Sequence, residues 1–190
     1  MMKTQTLIRA AGALVLCTLI GCSTVTSVNP IGRPLASDLS AELTGTWMGA
    51  EGNQLQIHCD SAGRLTYAVT EWKEDQGAFA IETGDGILTS IGDRVFFNYV
   101  ENQDADRPTH GFLLLRAMDG QLAVWLPDVD EFQKLVEENV LIGDLEEDSQ
   151  ASNVVLTGSS EEIATALENL DLAGLFDWSE PAVVLVRVAR

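Results

Sequence analysis

Residues 54–72, QLQIHCDSAGRLTYAVTEW, carry the pattern that decides the fold. Apolar and polar side chains alternate through residues 54–59 and again through 64–72, and Ser61-Ala62-Gly63 interrupts the alternation. Alternation with a period of two is typical of strands that are buried on one face, and a short break containing glycine marks a turn. The stretch therefore predicts two antiparallel strands whose shared apolar face is made by Leu55, Ile57, Cys59, Leu65, Tyr67 and Val69.

The same alternation, interrupted by turn residues, recurs over residues 43–127. Gly92-Asp93 and Asp119-Gly120 each separate two apolar segments by only two residues, which is the spacing of a tight hairpin. Gly84-Asp85-Gly86 is interpreted as a further turn. The predicted strands cover residues 43–50, 54–59, 64–72, 78–83, 87–91, 94–100, 111–118 and 121–126.

An antiparallel meander of this length commonly closes on itself, because closure removes the exposed edges that invite aggregation. We therefore expect a mainly β (α+β) fold, with a meander or small barrel of about eight short strands followed by two helices and further strands. Trp47 is expected to be buried at the base of the barrel. Side chains are expected to fill most of the interior, the main contributors being Leu55, Ile57, Tyr67, Val69, Phe79, Ile81 and Phe97.

Two helices are predicted after the meander. A capping pattern at Asp128-Val129-Asp130-Glu131 opens residues 128–139, whose apolar side chains share one helix face. A second capping pattern, Ser159 to Glu162, opens residues 159–170. The first helix is expected to cover an open side of the barrel, and residues 181–190 are expected to form a buried strand.

The beginning of the chain has the organisation of an export signal. Lys3 and Arg9 are followed by an apolar run over residues 10–20, and no acidic residue occurs before Asp38. As a helix this run would span about 16 Å, roughly half of a bilayer core, which is too short to cross a membrane. The run ends in LIGC, residues 19–22, and polar residues follow at once. This order predicts a signal peptide.

The tetrapeptide Leu19-Ile20-Gly21-Cys22 resembles the lipobox of bacterial lipoproteins. The resemblance implies cleavage between Gly21 and Cys22, a diacylglycerol on the thiol of Cys22 and acylation of the new amine. Residues 1–21 would then be a signal peptide that is removed, and the lipid on Cys22 would anchor the protein to a membrane. Ser23 at the following position resembles the outer-membrane sorting signal of enteric bacteria, which implies a place in the bacterial cell envelope, at the outer membrane.

The rest of the chain is expected to divide into a tether and one domain. Residues 22–42 contain the lipidated cysteine and are rich in proline, glycine and hydroxyl side chains, which is typical of a flexible tether. Residues 43–190 are long enough for a single globular β-rich domain. Loss of residues 1–21 removes two of the 11 basic residues and none of the 29 acidic ones, which leaves a net charge of −20. Such a charge repels nucleic acid, which is therefore excluded as a partner.

The sequence contains no motif of a known catalytic chemistry, such as Gly-x-Ser-x-Gly or His-Glu-x-x-His. His58 and His110 fall on separate predicted strands and are interpreted as surface histidines, and residues 101–111 lack the glycine and distal glutamate of a calcium loop. No catalytic residue, metal or cofactor is expected. Once Cys17 is removed and Cys22 is lipidated, Cys59 has no disulfide partner in the chain and is expected to be a buried, inert thiol.

Gly45-Thr46-Trp47 resembles the Gly-x-Trp motif in the first strand of lipocalins and related barrels, in which an arginine from near the C-terminus crosses the tryptophan. Arg187 would be that arginine, and Trp47 with Arg187 would form a structural pair at the barrel base. The resemblance implies a barrel whose mouth takes a small apolar ligand. Two functions stay open: a non-catalytic binding or accessory module for a protein or another envelope component, and a carrier of a small apolar ligand. An enzyme is a third class that no motif supports.

Overall fold

Twelve strands and four helices make up the part of the chain that the computed structural model describes, residues 24–35, 37–101, 108–148 and 151–189. The strands are β1 (Val25–Ser27), β2 (Arg33–Pro34), β3 (Gly45–Met48), β4 (Gln54–Cys59), β5 (Arg64–Lys73), β6 (Ala78–Ile91), β7 (Arg94–Val100), β8 (His110–Met118), β9 (Gln121–Trp125), β10 (Gly143–Asp148), β11 (Ala151–Leu156) and β12 (Val183–Ala189). The helices are α1 (Ser37–Leu43), α2 (Val129–Glu137), α3 (Ser160–Glu168) and α4 (Leu172–Leu175).

Eight of these strands close into an antiparallel barrel. Strands β3 to β9 pair in chain order, each with the next. Strand β12 closes the ring, because its first residues pair with β9 and its last residues pair with β3. The Asp119-Gly120 turn has both residues at positive φ, 53° and 77°, as a two-residue hairpin requires. About half of the described residues lie in strands and fewer than one fifth in helices, which confirms the predicted mainly β class.

The meander provides seven barrel strands and not the predicted eight, because residues 78–91 form one continuous strand. Gly84 and Gly86, interpreted as turn residues, lie inside this strand. A Cβ atom at Gly86 would lie 2.1 Å from the backbone carbonyl oxygen of Asn98 and 2.5 Å from the ring of Phe97, and one at Gly84 would collide with the ring of Tyr67. The two glycines therefore make room for aromatic rings that pack over the backbone inside the barrel. The eighth strand is β12, which is buried on one face only and not on both.

Side chains of the barrel strands fill the barrel. Trp47 is fully buried, and the expected interior residues Leu55, Ile57, Val69 and Phe97 are buried around it, with Tyr67 partly buried. The predicted interior positions of Phe79 and Ile81 are wrong, since each side chain is 68% exposed. The β5–β6 register explains the error. Val69, which is buried inside the barrel, pairs with Glu82, so Glu82 lies on the inner face of β6. Ile81 and Phe79 alternate with Glu82 along the strand and therefore lie on the outer face.

A second apolar core lies against the outer face of β7 and β8. Phe96 and Phe112 of these strands pack with Phe132 of α2 and with Phe176, which follows α4. Helix α2 therefore covers part of the barrel wall. The expectation that it covers an open side of the barrel is wrong. The base of the barrel is covered instead by α1, whose Leu43 reaches the barrel core.

Both predicted helices form, and their N-caps are the predicted ones. The carboxylate of Asp128 accepts a hydrogen bond from the backbone N–H of Glu131 at 3.1 Å. Ser159 and Glu162 form a reciprocal capping box at the start of α3. These bonds satisfy backbone donors that a helix leaves unpaired at its first turn. Because donor and acceptor are only three residues apart, the sequence alone predicts them.

Residues 24–35, before α1, belong to the fold, which corrects the expectation of a flexible tether for this part of residues 22–42. We call residues 24–35 the strap. Its strand β1 lies between β8 and β11. Ile31 is fully buried, its N–H donates to Oδ1 of Asn98 at 2.8 Å, and its carbonyl accepts from the hydroxyl of Thr89 at 2.5 Å. The strap is ordered by partners far along the chain, so its composition alone was misleading.

Candidate functional site

Trp47 and Arg187, singled out from the sequence, meet at the base of the barrel. The β3–β12 register places them opposite each other, and the guanidinium carbon of Arg187 lies 4.2 Å from the centre of the Trp47 ring. The indole N–H of Trp47 donates to the carbonyl of Leu43 at 2.9 Å. Arg187 donates to the carbonyls of Thr44, at 2.9 Å, and of Glu42. These contacts use carbonyls at the end of α1 and join that helix to the barrel.

The interior of the barrel is occupied by its own rings. Phe97 lies edge-on to Tyr67 with ring centroids 6.0 Å apart and stacks on Tyr99 at 5.9 Å. Both distances are typical of aromatic pairs in van der Waals contact. A ligand that entered the barrel would have to displace these rings, so the geometry gives little support to a carrier function.

An exposed apolar surface lies at the tip of the β5–β6 hairpin. Trp72, Phe79 and Ile81 are 52%, 68% and 68% exposed, and we call these three side chains the hairpin patch. The rings of Trp72 and Phe79 pack edge to face with centroids 5.1 Å apart. Strand β7 begins to pair with β6 only at Gly86, so residues 78–85 pair with β5 alone. Residues 71–80 therefore project beyond β4 and β7 as a two-stranded arm. Within the described part of the chain, no strand pairs with the outer edge of residues 78–85.

Acidic side chains lie close to the hairpin patch, in the adjoining turn and on the opposite face of the hairpin. Glu74 and Asp75 lie in the turn between the two strands, and Glu82 lies on the opposite face of β6. Glu71 is paired with Lys73, and this hydrogen bond raises the pKa of the Lys73 ammonium. The arm thus combines large apolar side chains with a net negative charge.

The residues considered for metal binding or nucleophilic chemistry do not come together. His58 and His110 lie on β4 and β8, which are not neighbours in the barrel, and burial lowers the pKa of His110. Among the described residues, no group of three or more His, Cys, Asp or Glu side chains is arranged to hold a metal ion. Cys59 is half-buried rather than fully buried, and burial raises the pKa of its thiol. The folded protein therefore holds this cysteine mainly as the less reactive thiol.

Several positions singled out in the sequence lie outside the described residues. They include Gly21 and Cys22 of the lipobox-like motif, and Asp104 and Asp106 of the stretch compared with a calcium loop. Among the helices in the described part of the chain, none has the length and apolar character needed to span a membrane.

Sequence reasoning missed the hairpin patch. Trp72 was placed at the end of a predicted strand and Phe79 in the barrel interior. Leu65 and Val69 define the inner face of β5, and pairing across the hairpin extends that face to β6. This reasoning places Trp72 and Phe79 on the outer face, but it requires β6 to be one 14-residue strand, which the sequence did not predict.

Comparison with known proteins assigns no family to this barrel. The chain matches no protein-family model, no curated protein and no solved structure. The function of the protein is therefore inferred from the barrel, its exposed surfaces and the lipobox-like motif.

Proposed function

We propose that the protein is a lipid-anchored component of the bacterial cell envelope that binds a protein partner through the hairpin patch, without catalysis. The observation that carries the proposal is the exposure of Trp72 and Phe79 on an arm that projects from a filled barrel. Exposed clusters of large apolar side chains mark interaction surfaces, and tryptophan is among the residues that contribute most to binding energy there.

The proposed anchor is the lipid on Cys22, at the outer membrane. Thr24, two residues later, is already held by the fold: its N–H and hydroxyl both donate to Oδ1 of Asn153, at 3.2 and 3.1 Å. Ser23 alone would separate the lipidated residue from this contact. A lipid on Cys22 would therefore hold the barrel close to the bilayer surface, and the domain would have little freedom to turn.

A protein fits the hairpin patch better than other partners. The acidic side chains around Trp72 and Phe79 oppose contact with anionic lipid headgroups and with nucleic acid. A partner with an apolar groove and basic residues at its rim would complement both features. The free edge of residues 78–85 can in addition accept hydrogen bonds from an extended segment of the partner.

A carrier of a small apolar ligand is the second candidate function. The closed eight-stranded barrel and the contact between Arg187 and Trp47 favour it, whereas the rings of Tyr67, Phe97 and Tyr99 oppose it. Native mass spectrometry of protein purified from membranes separates the two functions. A stoichiometric small ligand on the protein would favour the carrier, and its absence together with a crosslinked partner would favour the binding module.

Docking is tested by a photoreactive phenylalanine analogue placed at position 79 in cells. We expect irradiation to give one discrete crosslinked product. The matched control carries the same analogue at Met118, which is 55% exposed at the barrel base. The proposal is wrong if position 79 gives no product or gives the same products as position 118.

Anchoring is tested by Cys22→Ala, which should abolish labelling by a fatty-acid analogue and release the protein from the membrane fraction. Cys59→Ala removes the other cysteine of the mature chain and should leave the labelling unchanged. Continued lipid labelling of the Cys22→Ala variant would contradict the anchor.

A further inference from the structure

The backbone of β6 alternates between two directions, toward β5 and away from it. The β5–β6 register runs over residues 78–87 without a bulge. The N–H of Leu88 donates to the carbonyl of Gly63, which precedes β5, at 2.7 Å. Backbone groups of an antiparallel strand point alternately to its two sides, so even-numbered residues of β6 bond to β5 and odd-numbered residues point away from it.

Three odd-numbered residues, Phe79, Ile81 and Thr83, therefore present their backbone N–H and C=O groups on the side away from β5. We call these six groups the β6 edge. No strand of the described ranges pairs with them, since β7 first pairs with β6 at Gly86. Native edges are commonly kept short or interrupted by proline or a bulge. Residues 78–85 contain neither proline nor a bulge, and their length exceeds the roughly 5–6 residues of an average strand.

The outer face beside the β6 edge is apolar. Phe79 and Ile81 supply two of its six backbone groups, and their side chains are each 68% exposed on this face. The ring of Trp72 packs against Phe79 from the β5 side, with centroids 5.1 Å apart. Residues of an added strand that lie opposite Phe79 and Ile81 would have their Cβ atoms about 5 Å away. Apolar side chains at those two positions would extend the hairpin patch.

The inner face beside the β6 edge is acidic. Glu82 lies there between Ile81 and Thr83, and it makes no ion pair with a described residue because Lys73 is paired with Glu71. Opposite charges directly across two strands stabilise the pair, and like charges destabilise it. A second copy of this chain, which carries a net charge of −18, would bring another acidic arm to the edge. Charge therefore favours a different chain with a basic residue opposite Glu82.

We propose that the β6 edge binds an extended segment of the partner protein as an antiparallel strand. The segment places apolar side chains opposite Phe79 and Ile81 and a basic side chain opposite Glu82. Its backbone hydrogen bonds provide affinity, and its alternating side chains provide specificity. The antiparallel direction continues the pairing of β5 with β6. This inference rests on the proposed function, because it specifies the partner of the hairpin patch.

The first test is a titration with the peptide acetyl-Thr-Thr-Lys-Val-Thr-Val-Thr-amide. In the antiparallel register its lysine lies opposite Glu82 and its two valines lie opposite Ile81 and Phe79. We expect the peptide to slow amide hydrogen exchange at Phe79, Ile81 and Thr83, whose N–H groups it pairs. The indole N–H signal of Trp47 in the NMR spectrum should stay in place. If exchange at the three residues does not slow, the proposal is overturned.

Two N-methylated peptides provide a matched comparison. A methyl group on the nitrogen of the valine opposite Ile81 removes an N–H that points at β6 and should weaken binding at least about tenfold. A methyl group on the threonine opposite Ala80 removes an N–H that points away from β6 and should weaken binding less than about threefold. Equal binding of the two methylated peptides overturns the proposal.

The matched protein variants are Thr83→Pro and Thr83→Ala. Proline removes an N–H of the β6 edge without removing a hydrogen bond to β5, whereas alanine keeps the N–H. Thr83→Pro should bind the peptide at least about tenfold more weakly than Thr83→Ala, and an unchanged Trp47 signal verifies that it is folded. In a charge exchange, Glu82→Lys should bind a peptide with glutamate in place of lysine at least about threefold more tightly than the unmodified protein does.

Thr83→Pro also separates this inference from the proposed function when it is combined with the photoreactive analogue at position 79 in cells. If the crosslinked product persists in Thr83→Pro, the partner binds through side chains alone, so the added strand is wrong and the proposed function stands. If the product is absent while Thr83 is unchanged, the proposed function fails and the partner named here fails with it. A protein dimer that Thr83→Pro dissociates would place a second copy on the β6 edge and would overturn the proposal.

Discussion

Replacing Asn98 by alanine tests whether the strap is part of the cooperative fold. Asn98 is 1% exposed; its Oδ1 accepts from the N–H of Ile31 at 2.8 Å, and its Nδ2 donates to the hydroxyl of Thr89 at 2.9 Å. Alanine would leave the buried N–H of Ile31 without an acceptor, which costs about 1–3 kcal/mol. The space left by the amide adds about 1 kcal/mol. We expect the free energy of unfolding to fall by about 2–4 kcal/mol, a large part of the stability of a domain.

Urea denaturation measures this change, and Asn169→Ala is the matched control. Asn169 is exposed at the end of α3, where its Nδ2 donates to the carbonyl of Thr165 at 2.8 Å. The same chemical change there should alter stability by less than about 0.5 kcal/mol. Amide exchange at Ile31 should also accelerate in Asn98→Ala. If the two variants unfold at the same urea concentration, the strap does not stabilise the fold as argued.

Three further predictions concern the barrel. Trp47→Ala should lower the free energy of unfolding by about 3–5 kcal/mol because it empties a fully buried site. Trp72→Ala on the exposed arm should change it by less than about 0.5 kcal/mol. Equal effects of the two variants in urea denaturation would contradict the burial of Trp47 at the barrel base. Gly86→Ala would place a methyl group 2.1 Å from the backbone carbonyl oxygen of Asn98 and 2.5 Å from the ring of Phe97. It should cost about 1–3 kcal/mol by calorimetry, so an unchanged melting temperature would argue against this close packing. Because burial raises the pKa of Cys59, its reaction with a thiol reagent should be slower than that of a small free thiol and should approach its maximum at higher pH; matching pH profiles would refute this.

Predictions that depend only on residues close together in the chain are confirmed. The alternation over Leu55, Ile57 and Val69 predicted their buried face, because side chains on a strand alternate between two faces whatever the partner. Asp119-Gly120 predicted a tight turn and Ser159 predicted a helix start, since both depend on hydrogen bonds and backbone angles within a few residues.

Sequence patterns that occur in two different local structures led to wrong predictions. Glycine is common in turns, but it also lies in strands where a ring packs on the backbone, so Gly84 and Gly86 looked the same in either role. Only the positions of Tyr67 and Phe97 across the sheet distinguish the two roles. The error divided β6 into two strands and placed Phe79 on the wrong face.

The sequence by itself determined the mainly β class, most strand positions and both main helix starts, because these follow from side-chain alternation and short-range capping. Only the tertiary structure decided that β12 closes the ring, that the strap is buried, and that residues 78–85 pair with β5 alone among the described strands. The physical reason is that these arrangements are stabilised by contacts between residues far apart in the chain. Their free energy depends on the partner strand and its register, which no short segment encodes alone.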